Sequence, residues 1–210
     1  MLSGDKTKEG LPGSYYSELY NYRYVAENYA LPDYIGFCGY RKYFAFLDDI
    51  SEDKIKRLVD SHGCITGELA DFKSMSAYEN YAYNHNREDM ELMKAVIIDL
   101  YPQFYPAFMN FLFQNKMYTC NMFIMKKEDF QIMMKFIFSI LDEFTRRLGP
   151  ANIENHVVDA FRRGLLRLGT VKHQSRIGGY IGERLVSAYI MKNFPDAYIG
   201  GLKITGNRIR

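Results

Sequence analysis

Tryptophan is absent from the 210 residues, and no apolar run approaches the roughly 20 residues that cross a bilayer as a helix. Cysteine is scarce. Cys38, Cys64 and Cys120 are odd in number and too widely spaced for a zinc motif or a disulfide framework. Cys38 and Cys120 sit in apolar runs, so both are expected as buried free thiols in a reducing compartment. An excess of one charge is also missing. The formal net charge of +2 argues against a dedicated nucleic-acid binder, which needs a concentrated basic face. There is no lysine-ended phosphate loop, no serine elbow and no His-Glu-x-x-His string. The glycine-rich pieces "GGYIG" and "YIGG" do not match a dinucleotide fingerprint, which needs a strand before it and an acidic residue after. No basic start leads into an apolar secretory stretch, so the expected location is the cytoplasm, or the inner face of the membrane as a peripheral protein.

What is present is apolar and aromatic. A hydrophobic content of 48% can bury a sizeable core in a single domain. The 18 Tyr and 15 Phe can line clefts as well as cores, because Tyr carries a polar tip on an apolar body. Helical spacing runs through "YYSELYNYRYVAENYA", with Ser14 as its expected cap and "LPD" as its end. Residues 34–38 predict a strand. "ISEDKIKRLVDSHG" predicts a helix from a Ser51 cap to a Gly63 stop. "CIT" predicts a short strand and "GELADFKS" a polar loop. Further helices are predicted over "MSAYENYAYNH", over 87–101 and over "AFMNFLFQN". "MYTCNMFIMKK" predicts one strand, apolar except for Thr119 and Asn121. Over 129–147, Phe130, Met133, Met134, Ile137, Leu141 and Phe144 form a helical stripe that reads as core rather than a cofactor box. A last helix is predicted over 181–193, then an edge strand. Alternating strands and helices predict an α/β layer fold, one domain over 1–210 with an insertion near 149–172.

A few residues carry candidate chemistry. "YIGFCGYRKYF" ends a strand in two adjacent cations, Arg41 and Lys42, between Tyr40 and Tyr43. They are either solvated loop charges or an anion site. Asp48 and Asp49 read as the polar approach to the Ser51-capped helix. His62 reads as a partner of a helix C-terminus. His85 ends a polar, aromatic cluster, where it caps and packs or serves as a base near neutral pH. Glu183, in "RIGGYIGERL", is expected at a helix start, steadied by the dipole, behind glycines that permit close approach. Arg176 and Arg184 either pair with it or bind phosphate.

Five strings, "YYSEL", "DYIGFCGYRKYF", "YENYAYNH", "YTCNMFIMKKEDF" and "HQSRIGGYIGERL", occur in this order over roughly residues 3–190. Together they resemble the DUF4422 type of bacterial and viral glycosyltransferases of capsular and exopolysaccharide synthesis. The family's His-Tyr-Arg-Arg-Tyr-Phe is matched by Gly39, Tyr40, Arg41, Lys42, Tyr43 and Phe44, with Gly39 in place of the His. Its Gln-small-Arg pattern is matched by Gln174, Ser175, Arg176, Gly179, Tyr180, Glu183, Arg184 and Leu185. The resemblance implies a GT-A-like nucleotide-sugar-transferase fold, a mixed central sheet flanked by helices. It implies a nucleotide-diphosphate sugar donor, a UDP-sugar foremost, and a glycan or lipid-linked glycan acceptor. Such folds usually hold a divalent metal on an Asp-x-Asp at the end of the central strand. Here Arg41 and Lys42 stand at that place, so transfer without a metal is expected, with the cations stabilising the diphosphate. The implied donor side is Asp5, Tyr16, Glu18, Tyr40, Arg41 and Lys42, with Tyr16 and Tyr40 as stacking surfaces. Glu183 is the implied base if transfer inverts, with His85 beside it in the catalytic set. Asn121, Arg176 and Arg184 are implied to meet sugar hydroxyls or phosphate. Family members usually carry some tens of residues before the loop at Gly4-Asp5. The other expectation is therefore a truncated, non-catalytic relative that binds glycans or a partner.

Overall fold

The structure is a computed structural model and describes residues 13–39, 41–48, 50–166 and 168–204. A 3-10 turn, Gly13–Tyr16, precedes α1 (Leu19–Asn28). Ser14 does not cap this helix. Ser17 turns the chain at φ 53, so α1 begins later than its periodicity predicts, with Glu18 at the N-cap. β1 (Tyr34–Phe37), β2 (Lys42–Phe44) and α2 (Glu52–His62) follow. Ser51 caps α2 by accepting from the Lys54 N–H, and Gly63 ends it at φ 71, as the sequence predicts. Next come β3 (Cys64–Thr66), β4 (Leu69–Asp71), α3 (Ala77–Asn84), α4 (Arg87–Leu100), α5 (Tyr105–Phe113) and β5 (Lys116–Tyr118). β6 (Phe123–Lys126) and α6 (Lys127–Leu148) are followed by α7 (Ile153–Arg162), α8 (Val171–Gln174), α9 (Ile177–Asn193), β7 (Tyr198–Ile199) and β8 (Leu202–Ile204).

The central sheet has the order β1-β6-β3-β7. β6 runs antiparallel to β1 and β3, and β7 joins β3 in parallel, so the sheet is mixed. Its period of two separates two cores. Ile35, Met125 and Cys64 share a register and face the main core with Phe123. Ile65 and Ile124 face a smaller cluster with Val59, Phe44 and Met122. The predicted Met and Phe stripe of α6 is buried, and α6 packs on α4 and α9. β2 and β8 form a separate antiparallel pair, as do β4 and β5. Among the described residues no helix is long and apolar enough to cross a membrane.

α9 is buried along most of its length. A Cβ on Gly178 would lie 2.6 Å from the rings of Tyr15 and Tyr16, and one on Gly182 would lie 2.2 Å from Leu19. Gly178 and Gly182 therefore permit the close approach expected of them, and what approaches is the chain's own N-terminal turn and α1. The 149–172 segment carries α7, whose Val157 and Ala160 are buried. α7 is tied to α4 by His156 Nε2 at 2.7 Å from Asp89 Oδ1 and by Arg163, whose Nη2 approaches Glu88 Oε1 at 2.6 Å.

Candidate active site

The strand predicted over 117–127 is broken. Cys120 and Asn121 stand at φ 70 and φ 49, a left-handed turn between β5 and β6. L-residues enter that region at a cost of about 1–2 kcal/mol each. Three bonds hold the turn. The Cys120 N–H donates to Glu183 Oε1 at 2.8 Å, and the Tyr22 hydroxyl donates to the Asn121 carbonyl at 3.2 Å. Asn121 Nδ2 donates to Glu18 Oε1 at 2.9 Å. The turn thus ties α1 to α9 across the sheet's end.

A cavity of about 540 Å³ opens there. Its walls are Ser17, Glu18, Asn21 and Tyr22 around the start of α1, and Cys38, Gly39, Arg41 and Lys42 where β1 turns into β2. Cys120 and Asn121 complete it with Arg176, Gly179, Tyr180 and Glu183 on α9. Six residues singled out in the sequence therefore meet: Glu18, Arg41, Lys42, Asn121, Arg176 and Glu183. The apolar context predicts Cys38 and Cys120 buried. Instead Cys38 is exposed and Cys120 partly so, because both face this cavity.

The charges are arranged by local geometry. The Lys42 N–H closes a tight turn onto the Gly39 carbonyl at 3.2 Å, which leaves Arg41 exposed on the rim. Lys42 Nζ lies 2.9 Å from Cys120 Sγ. That bond, with Glu183 and Glu18 nearby, holds the lysine pKa above its ordinary value, so the side chain is a cation at neutral pH. Arg176, at the N-cap of α9, donates from Nε and Nη2 to Ser17 Oγ at 3.2 and 2.8 Å. Glu183 lies seven residues beyond Arg176, outside the first turn, so the helix dipole does not steady it as expected. The Cys120 N–H and Arg184, whose Nη1 is 3.3 Å from Glu183 Oε2, do so instead.

Other expected residues lie elsewhere. Tyr16 is fully buried, its hydroxyl 3.3 Å from Asp142 Oδ1, and it has no free face for a nucleotide base. Arg184 lies behind the wall, its Nη2 donating to Asn80 Oδ1 at 2.9 Å, so it braces Glu183 rather than meeting a ligand. His85 does not line the cavity. Its ring stacks on Tyr180 with centroids 3.9 Å apart, and Nδ1 lies 2.9 Å from Gln174 Oε1. Burial pushes its pKa down to about 4, so the expected base near neutral pH is a neutral packing group. Asp5 and Tyr40 fall outside the described residues. Ser17, Asn21, Tyr22 and Cys120 line the cavity without having been singled out for it. Only the polar Thr119 and Asn121 inside an apolar run hinted at the turn that brings Cys120 in.

The carboxylates in the wall, Glu18 and Glu183, are each committed to a different partner. Among the described residues no three His, Cys, Asp or Glu side chains gather as metal ligands. The described residues therefore form no all-protein cage for a divalent ion.

Comparison with known proteins bears on fold and family. A solved structure, the apo form of the bifunctional glycosyltransferase WbbM, matches with a TM-score of 0.70 at 22% identity. The match covers 98% of this chain and 39% of that one. No curated protein matches the chain. The family described as a domain of unknown function, DUF4422, matches over residues 12–194. The chain belongs to the DUF4422 family.

Proposed function

We propose that this chain is a glycosyltransferase that holds the diphosphate of a nucleotide sugar in the 540 Å³ cavity and passes the sugar to a glycan or lipid-linked glycan acceptor. The observation that carries this reading is the convergence of Arg41 and Lys42 with an anchored carboxylate, Glu183. A leaving diphosphate gathers negative charge as its bond to the sugar breaks, and fixed cations in a low-dielectric site stabilise it. Glu183 suits the base. Each of its oxygens accepts one bond from the protein, and each keeps a further lone-pair direction for an acceptor hydroxyl. Tyr180, backed by His85 and with the Arg176 guanidinium 5.9 Å from its ring centroid, replaces Tyr16 as the stacking surface. A cavity of this size is in the range of small-ligand sites, about 300–1,000 Å³. The fold shared with WbbM supports the same reading. Positive charge from Arg41 and Lys42 stands in for a metal, and a UDP-sugar is the first donor to test. A cytoplasmic location, or a peripheral one at the inner face of the membrane, belongs to this proposal.

Calorimetric titration with UDP, GDP and CDP tests it. Heat is expected with UDP, unchanged by EDTA, and Lys42→Met is expected to weaken binding about 10–100-fold by removing a charge-assisted contact. If no nucleotide binds, the transferase reading fails and the non-catalytic, glycan-binding one replaces it.

A further inference from the structure

A second cavity, of about 690 Å³, lies beyond Arg176, and Arg176 is the residue the two cavities share. We propose that this second cavity binds the acceptor glycan through an anionic group, a carboxylate or a phosphate, seated on Lys172 and Arg176. The name acceptor rests on the transferase reading of the first cavity. The anion site itself is tested independently.

Both cations lack a carboxylate partner among the described residues, although Glu154 lines the same cavity. A guanidinium has five N–H donors. Arg176 spends Nε and one Nη2 hydrogen on Ser17 Oγ, which leaves Nη1 and the second Nη2 hydrogen for a ligand. Two like charges on one wall repel, and an anion between them removes that repulsion. The apolar part of the wall comes from Tyr15, Ile153 and Val171, suited to the C–H face of a sugar ring. The Ser175 hydroxyl donates to the Val171 carbonyl at 2.8 Å, so it stands as an acceptor for a sugar hydroxyl, as does Glu154. These walls do not hang loose, because α7 is pinned to α4 through His156–Asp89 and Arg163–Glu88.

The helix gives a distance. Arg176 caps α9 and Glu183 is seven residues on, two turns along and on the same side, about 10 Å away at 1.5 Å per residue. That rise separates backbone positions only; both side chains reach the wall of the first cavity, and Arg176 also faces the second, so an acceptor whose anion sits on Arg176 is directed towards Glu183.

Methyl-labelled NMR of the whole chain tests this. Ile153 and Val171 report the second cavity while saturating UDP occupies the first. Glucuronic acid, glucose 1-phosphate and neutral methyl glucoside are titrated in turn. Saturable shifts at both residues are expected with at least one anion and not with methyl glucoside. A response to glucuronic acid alone assigns an acidic sugar, and one to glucose 1-phosphate alone assigns a phosphate. Lys172→Met is expected to weaken the anion response about tenfold and to leave UDP affinity within about twofold. Equal shifts with methyl glucoside, no shifts, or anion shifts that survive Lys172→Met would overturn the proposal. If UDP does not bind, the transferase reading fails, and the Ile153 and Val171 shifts still decide the anion site.

Discussion

At the scale of single residues, Glu183 and His85 show how environment assigns a role. Both were candidates for the base, and both are tied to neighbours. Glu183 keeps its carboxylate on the cavity wall, with its side chain 24% accessible. His85 is packed one layer behind, where desolvation keeps its ring neutral. A base must be within hydrogen-bond reach of the proton it takes; of the two, Glu183 lines the cavity and His85 does not. Glu183→Gln keeps an oxygen to accept from the Cys120 N–H, so the turn at Cys120 and Asn121 should survive. It removes the proton acceptor. Turnover of a UDP-sugar onto glycan should fall about 10²–10⁴-fold, with UDP affinity unchanged. Near-normal turnover in a steady-state assay would remove Glu183 from the role of base.

At the scale of elements, α9 is the spine of the site, and its small residues set where α1 lies. Glycine in a helix costs about 1 kcal/mol against alanine, so Gly178→Ala gains that much in propensity. The added Cβ would stand 2.6 Å from two buried tyrosine rings, where overpacking costs about 1–3 kcal/mol. Crowding should win, because Tyr16 is fully buried and bonded at its hydroxyl and has nowhere to retreat. A lowered urea midpoint with an unchanged slope is the expected result, and a raised midpoint would show that the rings yield. Sequence pattern reveals the helices well, for a physical reason. Caps, breakers and a 3.6-residue stripe are local, as at Ser51, Gly63 and the buried face of α6. Pattern misses β4 inside what reads as the polar loop "GELADFKS", and it merges β5 with β6 into one predicted strand over 117–127. The break at Cys120 escapes it because its partner Glu183 is 63 residues away. Of the site, Arg41, Lys42, Arg176 and Glu183 were legible in the residues themselves, and the roles of Glu18 and Asn121 through resemblance. Their convergence depends on the Ser17 and Cys120 turns, which no spacing rule encodes.

At the scale of the whole molecule, one buried and one half-buried histidine give stability a pH dependence with two opposite limbs. His85, at the end of α3, faces Gln174 on α8 and Tyr180 and Arg184 on α9. Burial lowers its pKa to about 4, while the Gln174 bond pulls it up and Arg184 and His173 push it further down. Between pH 4 and about 6.5 the unfolded chain binds a proton here that the folded chain refuses. His85 therefore favours the fold fully above pH 6.5, and that contribution is lost as pH falls, on the order of 3 kcal/mol by pH 4. His156 on α7 works the other way. Asp89 on α4 raises its pKa, with Glu88 and Asp159 adding to the effect. Its contribution is complete below about 6.5 and is lost as pH rises through its folded value. Asp89 has its own pKa raised, burial outweighing the pull of His156 and Tyr81, so its effect also declines with rising pH and opposes His85 in acid. Variants separate these limbs, since lost packing shifts the curve equally at every pH. Urea midpoints should show His85→Gln gaining on the wild type as pH drops from 6.5 to 4. His156→Gln should gain on it as pH rises above 6.5. If either variant runs parallel to the wild type in its window, that histidine is not held at the shifted pKa its surroundings impose, and the limb belongs to another group.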